Sequence, residues 1–539
     1  MTAARRWRPR REVVRVGLAG ALLFLPGIGR RDLWNPDEPR YAEVAREMGA
    51  AGEWLLPQLN GEVYAQKPPL HFWAIAAAAA LRGRLDETAV RLPAVVAAIG
   101  AMVLVWKLGE RLFGARPAWL AVAAFATCAK VLWQGRIGQI DMLLVFLVTL
   151  AVWFWVRAWS EERPRLALLF FLCAGLATLA KGPVGLLPPL LSIVAFLAAT
   201  RQWAALRALG VGRGLLLWAA VVLAWLGPAA ARGGEEYLRQ IVLRQNVTRY
   251  ADPWHHFQPV YYYLTVLPAD FFPWSLLLPA ALVEGWRGLE ARARRGFQFA
   301  ASWVVVTLVF FSLSPAKRTV YILTLYPALA LLVGAGLARL AARWPERRRW
   351  VEIPLVALAA LAAAAAAAAP AVTRDRPELA VLGPGLRWAL AALLAALAVA
   401  AGLAWRWARR GRLTGAVAAL ALGMALVAVA AVVRVLPRFD AVKSARQMSR
   451  VLDARLGPGE TYGIYPRLDA GFLFYSHRFA VAHDSEEALR AFAARPGRVW
   501  VLAQRDDLAR VAQPPPLVEV ARDADVEEGY LLLSNAPGP

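Results

Sequence analysis

Apolar runs recur along the chain at 13–29, 89–106, 117–133, 139–156, 166–180, 183–199, 214–231, 259–283, 299–313, 319–338, 351–372, 386–405 and 413–433. A helix that crosses a bilayer needs about 20 apolar residues, with about 17 as a lower limit. The pattern therefore predicts an α-helical polytopic membrane protein with about 13 spanning helices. A further run, 70–81, is too short to cross and is expected to lie as a juxtamembrane or re-entrant segment. Beyond 437 the pattern changes. Strand-like pieces (461–465, 498–503) and helix-like pieces (441–456, 485–494, 506–511) predict a small soluble α/β domain over 437–539. The expected division is thus a membrane domain over 1–436, whose first loop (30–88) carries juxtamembrane helices, followed by this α/β domain.

Charge orients the pattern. Basic connections follow alternate runs: Lys107, Arg111 and Arg116, then Arg157, Arg163 and Arg165, then clusters within 201–213, 287–295, 339–349 and 406–412. Because Lys and Arg accumulate on the cytoplasmic side, this alternation places the N-terminus inside and both 30–88 and 437–539 outside. Counting 70–81 as a span would put every one of these clusters outside, which argues against counting it. The net charge of +24 is spent on these short connections, so a nucleic-acid partner is not expected. The N-terminal run, preceded by five arginines within residues 5–11, is expected to be an uncleaved anchor. The two cysteines, Cys128 and Cys173, lie inside apolar runs and predict neither a disulfide nor a metal site. Eight consecutive alanines at 362–369 read as lipid-facing or loosely packed helix.

On this topology the unusual polar residues fall on one face: Asp37, Glu38, Arg40, Lys67, Arg136, Asp141, Lys181, His255, His256, Lys317 and Arg318. Pro39 is best tolerated at a first helical position, so a helix is expected to start there with Glu38 near its cap and Asp37 projecting ahead. Tyr41, Val44, Ala45 and Met48 give that helix one apolar stripe. A capping role for both carboxylates is the plain alternative. Lys67 precedes two prolines, and either presents an ammonium at the surface or snorkels. Asp141 at the start of a span needs a partner such as Arg136 or Arg40. Lys181 lies between two spans, and Lys130 is expected to snorkel outward. His255 and His256 are weak candidates for a divalent metal, since adjacent side chains diverge on any regular element. Lys317 with Arg318 suits a phosphate.

The ordered segments L-W-N-P-D-E-P-R-Y-A-E-V-A-R-E-M, Q-K-P-P-L, V-R-L-P, G-Q-I-D-M-L-L, A-K-G-P-V-G-L-L-P-P-L and K-R-T-V-Y-I-L-T-L-Y-P-A-L-A-L-L, spread over residues 30 to about 335, resemble the aminoarabinose (4-amino-4-deoxy-L-arabinose) transferase family of C-type glycosyltransferases, relatives of the protein O-mannosyltransferases. The resemblance implies an enzyme of the bacterial cytoplasmic membrane. It would transfer a sugar, with inversion, from a polyprenyl (undecaprenyl) phosphate carrier to an acceptor such as lipid A, another glycolipid, a glycan or a protein at the outer face. It implies Asp37 as the catalytic acid/base, with Arg40, Asp141 and Glu38 positioning the donor. Lys67, Lys317, Arg318, Tyr321 and Lys181 would bind the carrier phosphate. Gln66 stands where an acidic residue is expected in metal-binding relatives, so a divalent metal is a cofactor candidate without a firm ligand set. A protein O-mannosyltransferase-like enzyme shares the same core. A secondary transporter or lipid flippase would place its ionisable groups nearer the bilayer midplane.

Overall fold

The computed structural model describes residues 4–248, 250, 256–374, 382–383, 385–457, 460–523 and 529–536. In chain order it opens with α1 (Ala4–Phe24), α2 (Asp37–Ala51), a two-stranded hairpin of β1 (Gln58–Leu59) and β2 (Glu62–Val63), α3 (Leu70–Arg82), α4 (Glu87–Phe113), α5 (Ala115–Thr127), α6 (Ala129–Gln134) and α7 (Ile140–Ser160). Among the described residues nine helices are long and apolar enough to cross a membrane: Glu87–Phe113, Ile140–Ser160, Pro164–Lys181, Trp203–Asn246, Ala291–Leu313, Thr319–Ala342, Arg349–Val372, Gly385–Arg409 and Leu413–Lys443.

The other four apolar runs are also helical, but each is compromised. The first belongs to α1, whose N-terminal half carries the arginines. The run 117–133 breaks between α5 and α6 at Cys128, which is extended, and the freed Ala129 N–H donates to the Phe272 carbonyl at 2.8 Å. The run 183–199 begins with a short 3-10 turn and leaves only the 13-residue helix Leu187–Ala199. The run 259–283 divides into Tyr262–Asp270 and Leu278–Gly288 around Phe271–Leu277. Hydrophobicity therefore locates helix correctly and overstates how many helices run unbroken. The short helix α3, at 13 residues, has the length expected of a segment that does not cross.

Burial separates the middle of the bundle from its edge. The span Thr319–Ala342 is 89% buried over its most apolar window, whereas Arg349–Val372, which holds the alanine run, and Gly385–Arg409 are each 17% buried. The polyalanine helix faces outward, as its low packing volume suggests.

The C-terminal region folds as a five-stranded sheet of β3 (Tyr462–Tyr465), β4 (Ala480–Ala482), β5 (Trp500–Gln504), β6 (Val518–Arg522) and β7 (Tyr530–Ser534), in the order β4-β3-β5-β7-β6. β3 pairs parallel with β4 and β5, and β7 pairs antiparallel with β5 and β6. The parallel connections require crossover helices, and these are Ala470–Ser476 and Glu486–Ala493, the latter capped by Ser485. The expected helix 441–456 is interrupted at extended Ser444, giving Asp440–Lys443 and Arg446–Asp453.

This region docks on the loop before α2. The Asp32 N–H and the Trp34 indole N–H donate to the Asp440 carboxylate at 3.1 and 2.7 Å. Leu33 N–H donates to the Tyr475 hydroxyl at 2.7 Å, and Asn35 donates to Asp469 at 2.8 Å. Arg446 lies over the Tyr475 ring at 4.5 Å, pairs with Asp32 at 2.9 Å and also pairs with Glu87. Asn60 exchanges two hydrogen bonds with the Ala480 backbone, at 2.8 and 2.9 Å.

Candidate active site

α2 begins at Asp37, two residues earlier than the sequence suggests, with Pro36 at the cap position. The first-turn N–H groups of a helix have no partner within it, so Pro39 is accommodated inside that turn as well as at its first position. Asp37 and Glu38 therefore both sit at the positive end of α2. Their surroundings differ.

Glu38 is 2% exposed and fully occupied by protein donors. Its Oε1 accepts from Arg91 Nε at 2.7 Å and Gly138 N at 2.9 Å. Its Oε2 accepts from Arg31 Nη1 at 2.7 Å, Arg91 Nη2 at 3.0 Å and Trp34 N at 3.3 Å. Burial alone would raise this carboxyl, but the Arg91 and Arg31 guanidiniums overcome it and hold the group at about 2. Arg91 also donates to the carbonyls of Ile28, Arg31 and Asp32. The Arg31–Glu38–Arg91 triad thus ties the loop, α2 and α4 together.

Asp37, 7% exposed, is held more loosely. Its Oδ2 accepts from Gln139 Nε2 at 3.0 Å and from Arg318 at 3.3 Å, while Arg40 stands 3.8 Å from Oδ1. Burial would lower the Arg318 guanidinium, but Asp37 and Asp141 outweigh it and raise it. Asp141, in the first turn of α7, pairs with Lys181. The Lys181 ammonium lies over the Tyr321 ring at 5.2 Å. Tyr41 projects from α2 beside these groups and meets His71 of α3 edge-on at 5.6 Å. Burial pushes the His71 imidazole down to about 4.

One cluster therefore contains Asp37, Arg40, Asp141, Lys181, Arg318 and Tyr321, drawn from α2, α7, the end of the Pro164–Lys181 span and the connection before the Thr319–Ala342 span. Lys67, half-buried, lies just ahead of α3 on the same side. One expected pairing and one expected exposure differ. The partner of Asp141 is Lys181; Arg136 instead donates to the carbonyls of Leu132 and Leu23 and packs against Phe24. Lys130 does not snorkel: it is 11% exposed, 3.5 Å from Asp270 and hydrogen-bonded to Thr319. Lys317 turns away from Asp37, its ammonium donating to the carbonyls of Gln258 at 2.9 Å and Ser314 at 2.6 Å. Among the described residues no three of His, Cys, Asp and Glu come together as a metal set. His256 is exposed, and its carbonyl accepts from Lys317 N at 3.0 Å. His255, like Asp252 and Trp254, lies outside the described residues.

Sequence reasoning assigned no role to Gln139, Arg91, Arg31 or His71. Arg91 had a signal: it is an arginine inside an apolar run and within the V-R-L-P segment. Gly138 had one as well. A Cβ there would lie 2.6 Å from the Val90 side chain and 3.0 Å from the Val90 carbonyl oxygen, so only glycine brings this N–H to Glu38.

Known proteins resemble this chain in sequence and in fold. A family model described as dolichyl-phosphate-mannose-protein mannosyltransferase matches residues 66–226. The undecaprenyl phosphate-alpha-4-amino-4-deoxy-L-arabinose arabinosyl transferase of Edwardsiella ictaluri is 33% identical over 324 residues, 59% of this chain and 57% of that protein. The corresponding protein of Pseudomonas aeruginosa (strain UCBPP-PA14) is 32% identical over 329 residues, 60% of this chain and 59% of its own. The chain thus spans less than two thirds of the length of these relatives. The crystal structure of ArnT from Cupriavidus metallidurans bound to undecaprenyl phosphate superposes with a TM-score of 0.81 at 24% identity, covering 98% of both chains. The apo oligosaccharyltransferase of Archaeoglobus fulgidus superposes with a TM-score of 0.54 at 12% identity, over 94% of this chain and 70% of that one. By fold along nearly its whole length, and by sequence along about three fifths of it, this chain is a polytopic membrane protein that resembles the aminoarabinose transferase family of C-type glycosyltransferases.

Proposed function

We propose that the chain is a glycosyltransferase that moves a sugar from a polyprenyl-phosphate carrier to an envelope acceptor, with Asp37 as the group that handles the acceptor proton. The observation that carries this reading is the contrast between two adjacent carboxylates. Glu38 has no capacity left for a ligand, whereas Asp37 accepts two side-chain donors at 3.0 and 3.3 Å and stands among Arg40, Arg318 and the Asp141–Lys181 pair. A carboxylate held this way can orient an acceptor nucleophile and take its proton as the anomeric carbon is attacked. The bond to the carrier phosphate breaks in the same step, which gives inversion. Arg318, Lys181 and Lys67 are the cations suited to the charge that phosphate gains as it leaves. Tyr321 sets the wall against which Lys181 rests. Lys317 serves by fixing the connection that carries Arg318.

The relatives' names support undecaprenyl phosphate as the carrier and aminoarabinose as the sugar. Residues 30–88 and the C-terminal sheet then lie on the outer face of the bacterial cytoplasmic membrane, with the N-terminus inside. A lipid acceptor such as lipid A is the first reading for the acceptor, on the resemblance to the aminoarabinose transferases, and the mannosyltransferase model over 66–226 keeps a protein acceptor as the second.

The test is Asp37→Asn assayed with a polyprenyl-phosphate sugar donor and, separately, lipid A and a peptide acceptor. Turnover is expected to fall by about 10²- to 10⁴-fold with thermal stability retained. Turnover near that of the parent protein refutes the role of Asp37. Transfer to peptide in preference to lipid A overturns the lipid acceptor.

A further inference from the structure

A cavity of about 760 Å³ opens at the other end of the bundle. It lies where four of the basic connections meet: the end of α4, the end of α7, the connection that contains Gln202, and the start of the Ala291–Leu313 helix. α7 relates it to the Asp37 cluster. Asp141 is in the first turn of that helix and Ser160 is its last residue, 19 positions apart, and at about 1.5 Å per residue the two regions are separated by ~28 Å. The cavity is therefore separate from the glycosyl-transfer site.

Its chemistry is two-sided. Three arginines, Arg111, Arg292 and Arg295, stand on its wall against one carboxylate, Glu162. Arg111 is already engaged, with Ser160 Oγ at 2.6 Å and Glu161 at 3.0 Å. Among the described residues Arg292 donates only to the Arg111 carbonyl, at 3.1 Å, which brings it beside Arg111. Among the described residues no carboxylate pairs with Arg292 or Arg295, and both are exposed. Deeper in, the wall is apolar. Trp155 and Trp159 stack with 5.7 Å between ring centroids and 6° between planes, Trp159 is fixed by an N–H donated to Gln202 at 2.9 Å, and small residues such as Ala158, Ala167 and Ala205 leave the space open.

Unpaired guanidiniums at the rim recognise phosphate oxygens. An apolar interior of several hundred Å³ suits chains rather than a hydrated ion. A basic pocket between spanning helices, on the side that carries the positive connections, meets anionic headgroups.

We propose that this cavity binds an anionic phospholipid from the leaflet on the basic side, with Arg292 and Arg295 on its phosphate and the headgroup-proximal chain segments against Trp155 and Trp159. The proposal is independent of what the Asp37 cluster does.

Full-length protein in a neutral detergent is titrated with phosphatidylglycerol, phosphatidylcholine or inorganic phosphate, and bound lipid is counted by native mass spectrometry. Phosphatidylglycerol is expected to bind in preference to phosphatidylcholine, and millimolar inorganic phosphate is expected not to displace it. The double variant Arg292→Ala/Arg295→Ala is expected to weaken binding about thirty-fold, the effect of two near-surface arginines. Ala205→Trp, which fills the cavity while leaving the arginines in place, is expected to reduce it as well. Unchanged binding in either variant overturns the proposal. Displacement by inorganic phosphate overturns the lipid as occupant and makes the site one for a soluble phosphate.

Discussion

Replacing Glu38 by Gln removes one charge and keeps the shape. Five donated hydrogen bonds converge on this carboxylate, two on Oε1 and three on Oε2. A glutamine amide has one acceptor oxygen, so whichever way it is turned at least two donors meet an N–H₂ group. Arg91, fully buried, and Arg31, 5% exposed, lose the one carboxylate that contacts both among the described residues. Breaking a buried ion pair by removing one partner costs about 3–5 kcal/mol. The depression of the Glu38 carboxyl from 4.5 to about 2 corresponds to on the order of 3 kcal/mol by linkage, in the same range. Because the folded value is the lower one, this stability is present above the ordinary carboxylate range and is lost as pH falls toward 2. In a thermal-denaturation assay in detergent, Glu38→Gln is expected to lower the midpoint by several degrees and to abolish the extra acid sensitivity of the parent protein between pH 4.5 and 2. Asp37→Asn is expected to do neither. A Glu38→Gln protein as stable as its parent refutes the structural role of Glu38; one that is stable yet inactive moves the chemistry from Asp37 to Glu38.

Other perturbations test neighbouring parts of the frame. Gly138→Ala forces a Cβ against the Val90 backbone and displaces the N–H from Glu38, and is expected to cost about 1–3 kcal/mol in the same assay; no change means that the strand of chain before α7 yields freely. His71, with its imidazole pushed from 6.5 down to about 4 by burial, is neutral when folded, so the unfolded chain binds the extra proton between those values; stability is expected to be highest above pH 6.5 and to fall on acidification toward 4, and His71→Phe is expected to flatten that slope. Arg446→Met removes the contacts to Asp32 and Glu87, and is expected to lower turnover several-fold while making the C-terminal sheet more open to limited proteolysis. Unaltered turnover in that variant separates the docking of the sheet from catalysis.

The helices were legible because membrane-crossing segments announce themselves by local hydrophobicity. What hydrophobicity does not encode is the break inside a run: the interruption at Cys128 depends on the carbonyl of Phe272, more than a hundred residues away. The site shows the same division. Asp37, Arg40, Asp141, Lys181 and Arg318 were visible as ionisable residues at the ends of apolar runs, and the structure gathers them. Their pairing was not visible, because Lys181 reaches Asp141 across 40 positions and Arg91 reaches Glu38 across 53. Lys317 and Arg318 are neighbours in sequence, yet one faces backbone carbonyls and the other Asp37. The strands β4, β6 and β7 escaped detection because they are only 3, 5 and 5 residues long and are held by the neighbours they pair with.

The grip of the C-terminal region on the loop before α2 has a consequence for time. Asp32 and Asp440, which share a hydrogen bond, are 408 residues apart. At about 5–20 residues per second of synthesis, the loop that carries Asp37 waits on the order of 20–80 s after it emerges before its clasp is made. During that interval the loop before α2 is without the hydrogen bonds to Asp440, Tyr475 and Asp469 that hold it in the folded chain, so this clasp is among the last parts of the frame to form.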